Sequence, residues 1–349
     1  MQINQHKISI EDECYLIAEI GHNHQGEESL ALKLVEAAAE SGAHAVKFQK
    51  RNNTSLFTKS FYESEYKNTN SFGETYGKHR DFLEPKLDTL KKINELTRKL
   101  NIDFIMTVFD IESLNFCETH LSVDAYKIQS ADLTYLGLIE SIIACNKPFF
   151  ISCGASSFDE IKTTFQFCYS KTKNFCLMYA VSSYPCSDEQ LNLKRIQQLK
   201  NVLNFDQIGY SCHSPLNKAA EYARIYGAIA IEKHFTLDHS LKGPDHHFSS
   251  SPEQLKSLSF ELNKIDLMGG IIWTNEHNIE PYQLNARYKM GKCAVAKNTL
   301  KKGTILEEKD ILFQSPAQGI NPMEFKKYLG KTLTSQIEQG TVFLPQHFE

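Results

Sequence analysis

The chain has 349 residues, 41% of them hydrophobic, with 42 acidic against 38 basic side chains and a net charge of −4 at pH 7. So balanced a charge argues against nucleic acid or an anionic membrane surface as partner, and no apolar run reaches the roughly 18 residues of a transmembrane helix. The nine cysteines are scattered with no CxxC pair, several of them inside apolar runs (Cys153, Cys176, Cys293), which reads as buried reduced thiols of a cytoplasmic protein.

The N-terminal MQINQHKISIEDE is too polar for a signal-peptide core. Tyr15 to Gly21, YLIAEIG, reads as a short apolar strand carrying one carboxylate, Glu19. After the turn HNHQGE, Ser29 to Ser41 carries a helical stripe closed by Gly42, and Ala45 to Gln49 is a second strand ending on Lys47 and Gln49. Arg51 to Glu84 is a long polar insertion rich in Asn, Ser, Tyr and Phe; an insertion of that length in a compact domain is functional or mobile as a rule.

From there helix and strand alternate. Helices are expected at 85–100, 111–120, 136–145, 158–169, 191–202, 215–226 and 252–268. Strands are expected at Asp103–Asp110, Ala125–Ser130, Pro148–Gly154, Phe175–Val181 and at two runs ending near His213 and His234. Eight βα units over about 255 residues, with strands apolar on both faces, predict an α/β fold of the TIM (β/α)8 barrel type. A doubly wound open sheet is the alternative, but IGHNHQG after the first strand is not the GxGxxG phosphate loop of that class. The expected domains are 1–268, a linker 269–288 that holds the only tryptophan, Trp273, and 289–349, a small mostly β module with short strands at 292–296, 311–314 and 341–344.

In a TIM barrel, function sits at the C-terminal ends of the strands. Those ends carry Glu19, Lys47, Gln49, Thr107, Lys127, Ser130, Ser152, Ser182, Tyr184, Ser211, His213, Glu232 and His234. A buried lysine is costly without an anion, so two of them among serines and a threonine read as a cradle for a phosphorylated, carboxylated small molecule, or else as structural ion pairs inside the barrel. His213 and His234 close a βαβ unit whose strands are parallel neighbours about 4.8 Å apart, so both imidazoles can reach one cation.

The motifs IAEIGHNHQG, AVKFQ, YKIQS, ISCG, IEKHFT and KGPDH, in this order, closely resemble the sialic acid synthase family. The segment GKCAVAKNTLKKGTILEEKDI onward is similar to the antifreeze-protein-like SAF (β-clip) module that ends such synthases. The resemblance covers nearly the whole chain. It implies condensation of phosphoenolpyruvate with an N-acylated amino-hexose to give a nine-carbon 3-deoxy-nonulosonic acid and phosphate. It also implies roles: Lys47, Thr107, Lys127, Ser130, Ser152 and Ser211 for phosphoenolpyruvate, His213 and His234 for a Mn²⁺ or Mg²⁺ ion, and Gln49 and Ser182 for the sugar. Glu19, Glu232, Tyr184 and Asp245 would surround the reacting sugar or water. The partners it implies are the two substrates and a second copy of the chain in a domain-swapped homodimer.

Departures are visible. Cys212 stands where the family has an aspartate in GLSDH, Gln129-Ser130-Ala131-Asp132 replaces GSGE, and Ser315 occupies the position of an arginine that some members send into the partner's active site. These changes leave the acceptor sugar open among N-acetylmannosamine, its 6-phosphate and 2,4-diacetamido hexoses. Two other readings of the barrel are a Schiff-base lyase or aldolase using Lys47 or Lys127, and a sugar-binding homologue without turnover.

Overall fold

The computed structural model describes residues 1–269 and 278–349, which fall into two compact units, Met1–Gly270 and Ile271–Glu349. The first begins with a hairpin, β1 (Gln2–Ile3) and β2 (His6–Lys7), followed by eight parallel strands closed into a barrel. They are β3 (Tyr15–Gly21), β4 (Ala45–Lys50), β5 (Asp103–Val108), β6 (Ala125–Ile128), β7 (Phe149–Ser152), β8 (Phe175–Ala180), β9 (Ile208–Cys212) and β10 (Ala230–His234). β10 pairs with β3 to close the ring, so the expected TIM barrel is what forms.

The helices of this unit are α1 (Glu28–Glu40), α2 (Asn53–Leu56), α3 (Lys59–Tyr62), α4 (Tyr76–Leu83), α5 (Leu87–Leu100), α6 (Ile111–His120), α7 (Leu136–Ala144), α8 (Phe158–Lys171), α9 (Lys194–Leu203), α10 (Asn217–Ile225) and α11 (Pro252–Gly269). Local chemistry sets several boundaries. Asp110 caps α6 by accepting from the Ser113 amide at 2.6 Å, Ser157 and Glu160 form a capping box on α8, and Asn101 ends α5 in the left-handed region at φ 55°. The long insertion is α2, α3 and α4 with their connections.

Strand alternation separates two cores. Outward-facing Leu16, Ala18, Val46, Phe48, Phe104, Met106, Tyr126 and Ile151 pack under the helices. Inward-facing Tyr15, Ile17, Ala45, Ile105, Ala125, Phe150, Met178 and Ala230 fill the lower barrel, and Ile3 and Ile8 of the N-terminal segment join them as a plug. The polar N-terminal segment is thus part of the barrel floor: Asn4 and His6 bind the Asp103 carboxylate at 2.7 and 2.8 Å. All nine cysteines are free, and all but Cys145 are buried.

The second unit carries α12 (Leu284–Met290), the antiparallel pair β11 (Cys293–Ala296) and β12 (Ile311–Gln314), and α13 (Pro322–Phe325) around an apolar cluster that includes Leu306, Phe325, Leu333 and Phe343. Two expectations change here. The run 341–344 forms no strand, only an isolated bridge of Val342 to Val295, because turn residues flank it too closely for a ladder. The expected linker is partly helical: after a 3-10 turn at Pro281–Gln283, α12 occupies 284–290, and residues 270–277, Trp273 among them, lie outside the described residues.

Candidate active site

Two residues above each apolar position in the lower barrel, the same inward face turns polar. Ile17 is followed by Glu19, Ala45 by Lys47, Ile105 by Thr107, Ala125 by Lys127, Phe150 by Ser152, Gly209 by Ser211 and Ala230 by Glu232. Register then makes neighbours of them: Glu19 opposes Lys47, Thr107 opposes Lys127, Glu232 opposes Ser211, and His234 opposes Glu19. The ladder shifts between Glu19 and Gly21, where Gly21 has φ +54° and an added Cβ would sit 3.1 Å from a Glu19 carboxylate oxygen.

These residues line one cavity of about 460 Å³ at the C-terminal mouth of the barrel, within the range of small-molecule sites. Its floor is a buried network of alternating charge. Lys47 Nζ lies 2.7 Å from Glu19 and 3.7 Å from Glu232, and donates to Thr107 Oγ1 at 2.9 Å. Lys127 Nζ donates to Glu232 at 2.6 Å, and the other oxygen of Glu232 accepts from Ser211 at 2.7 Å. Of the ion pairs open to these side chains, Glu19 goes to Lys47 and Lys127 to Glu232.

The two carboxylates titrate apart. Burial pushes Glu232 up, but Lys127 and Lys47 outweigh it and hold the carboxyl well below its ordinary range. Burial wins at Glu19, whose pKa is raised despite Lys47. Burial also lowers Lys127, with Glu232 pulling the other way. Two glutamates with pKa values pushed apart are the usual preparation for proton transfer between groups in fixed states.

The histidines sit higher on the wall. Their ring centroids are 5.7 Å apart, and Tyr184 packs 4.1 Å from the His213 ring. His213 Nδ1 contacts the Val181 carbonyl at 2.7 Å, which fixes the proton on Nδ1 and leaves Nε2 as the lone-pair atom. His234 Nδ1 is buried with no hydrogen-bond partner, 3.9 Å from Asp245. Burial brings both imidazoles down to about 4, so both are neutral near pH 7. Two neutral imidazoles beside a carboxylate, one with an orphaned nitrogen, fit a divalent cation that keeps positions open for other ligands. Among the described residues no three His, Cys, Asp or Glu side chains converge as a closed cage.

Of the expected site residues, Ser182 alone does not line the cavity; its hydroxyl stands behind Gly154, close to Ser130. Ser130 Oγ accepts from the Gly154 amide at 3.0 Å. Sequence reasoning missed His22, Arg51, Tyr66, His79, Arg80, Phe109 and Gln129, which also line it. Four of them come from the Arg51 to Glu84 insertion, whose length was the available signal, although nothing in its composition singled out the arginines.

The chain is similar to known proteins over nearly its whole length. A family model described as the NeuB family matches residues 34–272, and one described as the SAF domain matches residues 291–349. An N-acetylneuraminate-9-phosphate synthase of Drosophila melanogaster is 33% identical over 355 residues, covering 95% of each chain. An N,N'-diacetyllegionaminic acid synthase of Campylobacter jejuni is 33% identical, covering 93% of this chain and 97% of its own. Among solved structures, an N-acetylneuraminic acid synthetase of Leptospira borgpetersenii superposes with a TM-score of 0.71 at 30% identity, covering 82% of this chain and 94% of that one.

Proposed function

Since the chain belongs to the NeuB family, we propose that it is a phosphoenolpyruvate-dependent nonulosonic acid synthase acting on an N-acylated amino-hexose. The observation that carries this reading is the floor of the cavity, where Lys47 and Lys127 stand on buried carboxylates with Thr107, Ser130, Ser152 and Ser211 around them. The lysines and hydroxyls bind the phosphate and carboxylate of phosphoenolpyruvate, and the anion offsets part of the desolvation that the two ammonium groups suffer.

In the reaction, C3 of the enol forms a bond to the aldehyde carbon of the open-chain sugar, whose oxygen takes a proton. Water adds at C2, the C2–O bond to phosphate breaks, and phosphate leaves with a proton from the resulting hydroxyl. Gln49 holds Glu19 through a 2.5 Å hydrogen bond and with it positions the sugar. Glu19, protonated more readily than an ordinary carboxyl, supplies or returns the proton at the aldehyde oxygen, while Glu232 stays ionised and keeps Lys127 charged. Tyr184 and Asp245 flank the histidines and line the sugar side of the cavity. His213 and His234 would hold a Mn²⁺ or Mg²⁺ ion, which supplies electrophilic activation of the sugar carbonyl and orientation of water when bound.

We also assign the second unit the family arrangement: its tail closes the sugar pocket of a partner chain in a domain-swapped homodimer. With Ser315 in place of an arginine there, another group must meet the acyl substituent. No helix among the described residues is long and apolar enough to cross a membrane. The test is a screen of candidate acceptors with phosphoenolpyruvate, reading phosphate release and product mass. A product of acceptor plus pyruvate mass supports the function, and borohydride trapping of an imine on either lysine would point to an aldolase instead.

A further inference from the structure

The relatives make both a phosphorylated product and an unphosphorylated one, so family membership leaves the acceptor's far end undefined. The insertion side of the cavity bears on it. Arg51 is buried and pinned: one guanidinium nitrogen donates to Gln49 Oε1 at 2.5 Å, the other contacts His22 Nε2 at 2.7 Å and lies 3.5 Å from Glu84, and the plane covers the Phe109 ring at 3.5 Å. His22, 6% exposed, meets a second guanidinium on its other nitrogen, with Arg80 lying 3.3 Å from Nδ1.

Both arginines can only donate, and a neutral imidazole has one acceptor. Burial first, then the two guanidiniums, hold His22 neutral. The short contact at Nε2 makes that nitrogen the acceptor, so Nδ1 carries the proton. It therefore faces Arg80 donor to donor across 3.3 Å. Such a juxtaposition is stable only when both donors share an acceptor. No described residue provides one there. Among the described residues no carboxylate lies within ion-pair distance of Arg80, whose Nε donates to the Tyr76 hydroxyl oxygen at 3.0 Å. Glu84 is engaged by Lys50 at 3.2 Å as well as by Arg51. Asp245, the remaining acid on this part of the wall, lies by His234. An acceptor, whether water or an anionic group of a ligand, reaches the pair through the cavity that His22, Arg51 and Arg80 all line.

We infer that Arg80 and the Nδ1–H of His22, with Arg51 behind them, form a second anion subsite that takes a phosphate ester on the acceptor sugar, remote from its aldehyde. The inference rests on the synthase reading above. The chain of contacts Glu19, Gln49, Arg51, His22, Arg80 joins the floor of the cavity to this subsite, as a phosphorylated open-chain hexose would.

The test is equilibrium binding of N-acetylmannosamine and of its 6-phosphate to the full chain, in wild type, Arg80→Gln and Arg80→Lys, with inorganic phosphate as a third probe. Arg80 is half-buried on α4 and its replacement leaves the barrel core intact. Wild type is expected to favour the phosphorylated sugar by about 10- to 100-fold, Arg80→Gln to lose that preference, and Arg80→Lys to keep part of it. Equal affinity for the two sugars in wild type overturns the inference. So does a preference that survives Arg80→Gln, or saturation by inorganic phosphate alone with no gain from the sugar. Because binding is read without turnover, a failed synthase assay and a failed anion subsite remain separate results.

Discussion

Lys127 and Glu232 face each other at 2.6 Å across the floor of the cavity, both almost wholly buried, from strands that are not neighbours in the sheet. A buried pair of this kind is poor evidence for stability, since desolvation offsets much of the attraction, but breaking it leaves an uncompensated charge. Lys127→Met should destabilise the fold by about 3 kcal/mol, because Glu232 then keeps only Lys47 at 3.7 Å and Ser211. Lys127→Met with Glu232→Gln should recover part of that loss and remain inactive. Urea unfolding of the single and double variants checks this, and a single variant as stable as wild type would show that the pair carries no structural weight.

Gly154 gives a steric probe of the anion cradle. An alanine Cβ there would stand 2.6 Å from Ser182 Oγ and 2.9 Å from Ser130 Oγ, so the hydroxyls must turn away. Gly154→Ala is expected to fold normally and to raise KM for phosphoenolpyruvate on the order of tenfold, about one hydrogen bond to a charged group. An unchanged KM would place the ligand away from Ser130.

Removal of the cation should abolish turnover reversibly. Chelation, His213→Ala and His234→Ala are each expected to reduce kcat by more than about 100-fold, and Mn²⁺ or Mg²⁺ should restore the chelated wild type alone. Full activity in excess chelator would dismiss the two-histidine cation site.

Buried neutral histidines set the acid limit of the metal-free chain. Burial holds His24, His213 and His234 down to about 4, against 6.5 for the free side chain. Between those values the unfolded chain binds protons that the native chain refuses, so stability rises with pH and is lost as pH falls from 6.5 toward 4. Unfolding midpoints in chelator should drop clearly between about pH 7 and about pH 5, by up to about 2 kcal/mol per histidine. A flat profile would contradict the assigned protonation states.

The swapped assembly is open to complementation. A chain truncated after Met268 and a His213→Ala chain should each be inactive, and subunit exchange between them should restore activity if the tail acts in trans. A fully active monomer excludes the arrangement.

What the sequence made legible follows from the strand period. Polar residues at the ends of apolar strands, Glu19, Lys47, Thr107, Lys127, Ser152, Ser211 and Glu232, stand out because alternation predicts an apolar residue there, and all reach one cavity. Partner choice was not legible: whether Lys127 meets Glu19 or Glu232 depends on barrel closure, which pairs β10 with β3 and brings distant strands face to face. The insertion was legible only as a length. Arg51 and Arg80 carry no periodic signature, and they approach His22 from two different elements, Arg51 from just after β4 and Arg80 from α4.

The most direct measurement of the central claim follows the bridging oxygen of phosphoenolpyruvate. With ¹⁸O between C2 and phosphorus and an N-acylated amino-hexose, free or as its phosphate ester, as acceptor, the account predicts a product heavier than the acceptor by pyruvate, with all the label in the released phosphate. Label retained in the organic product, or phosphate formed with no new carbon–carbon bond, would contradict it.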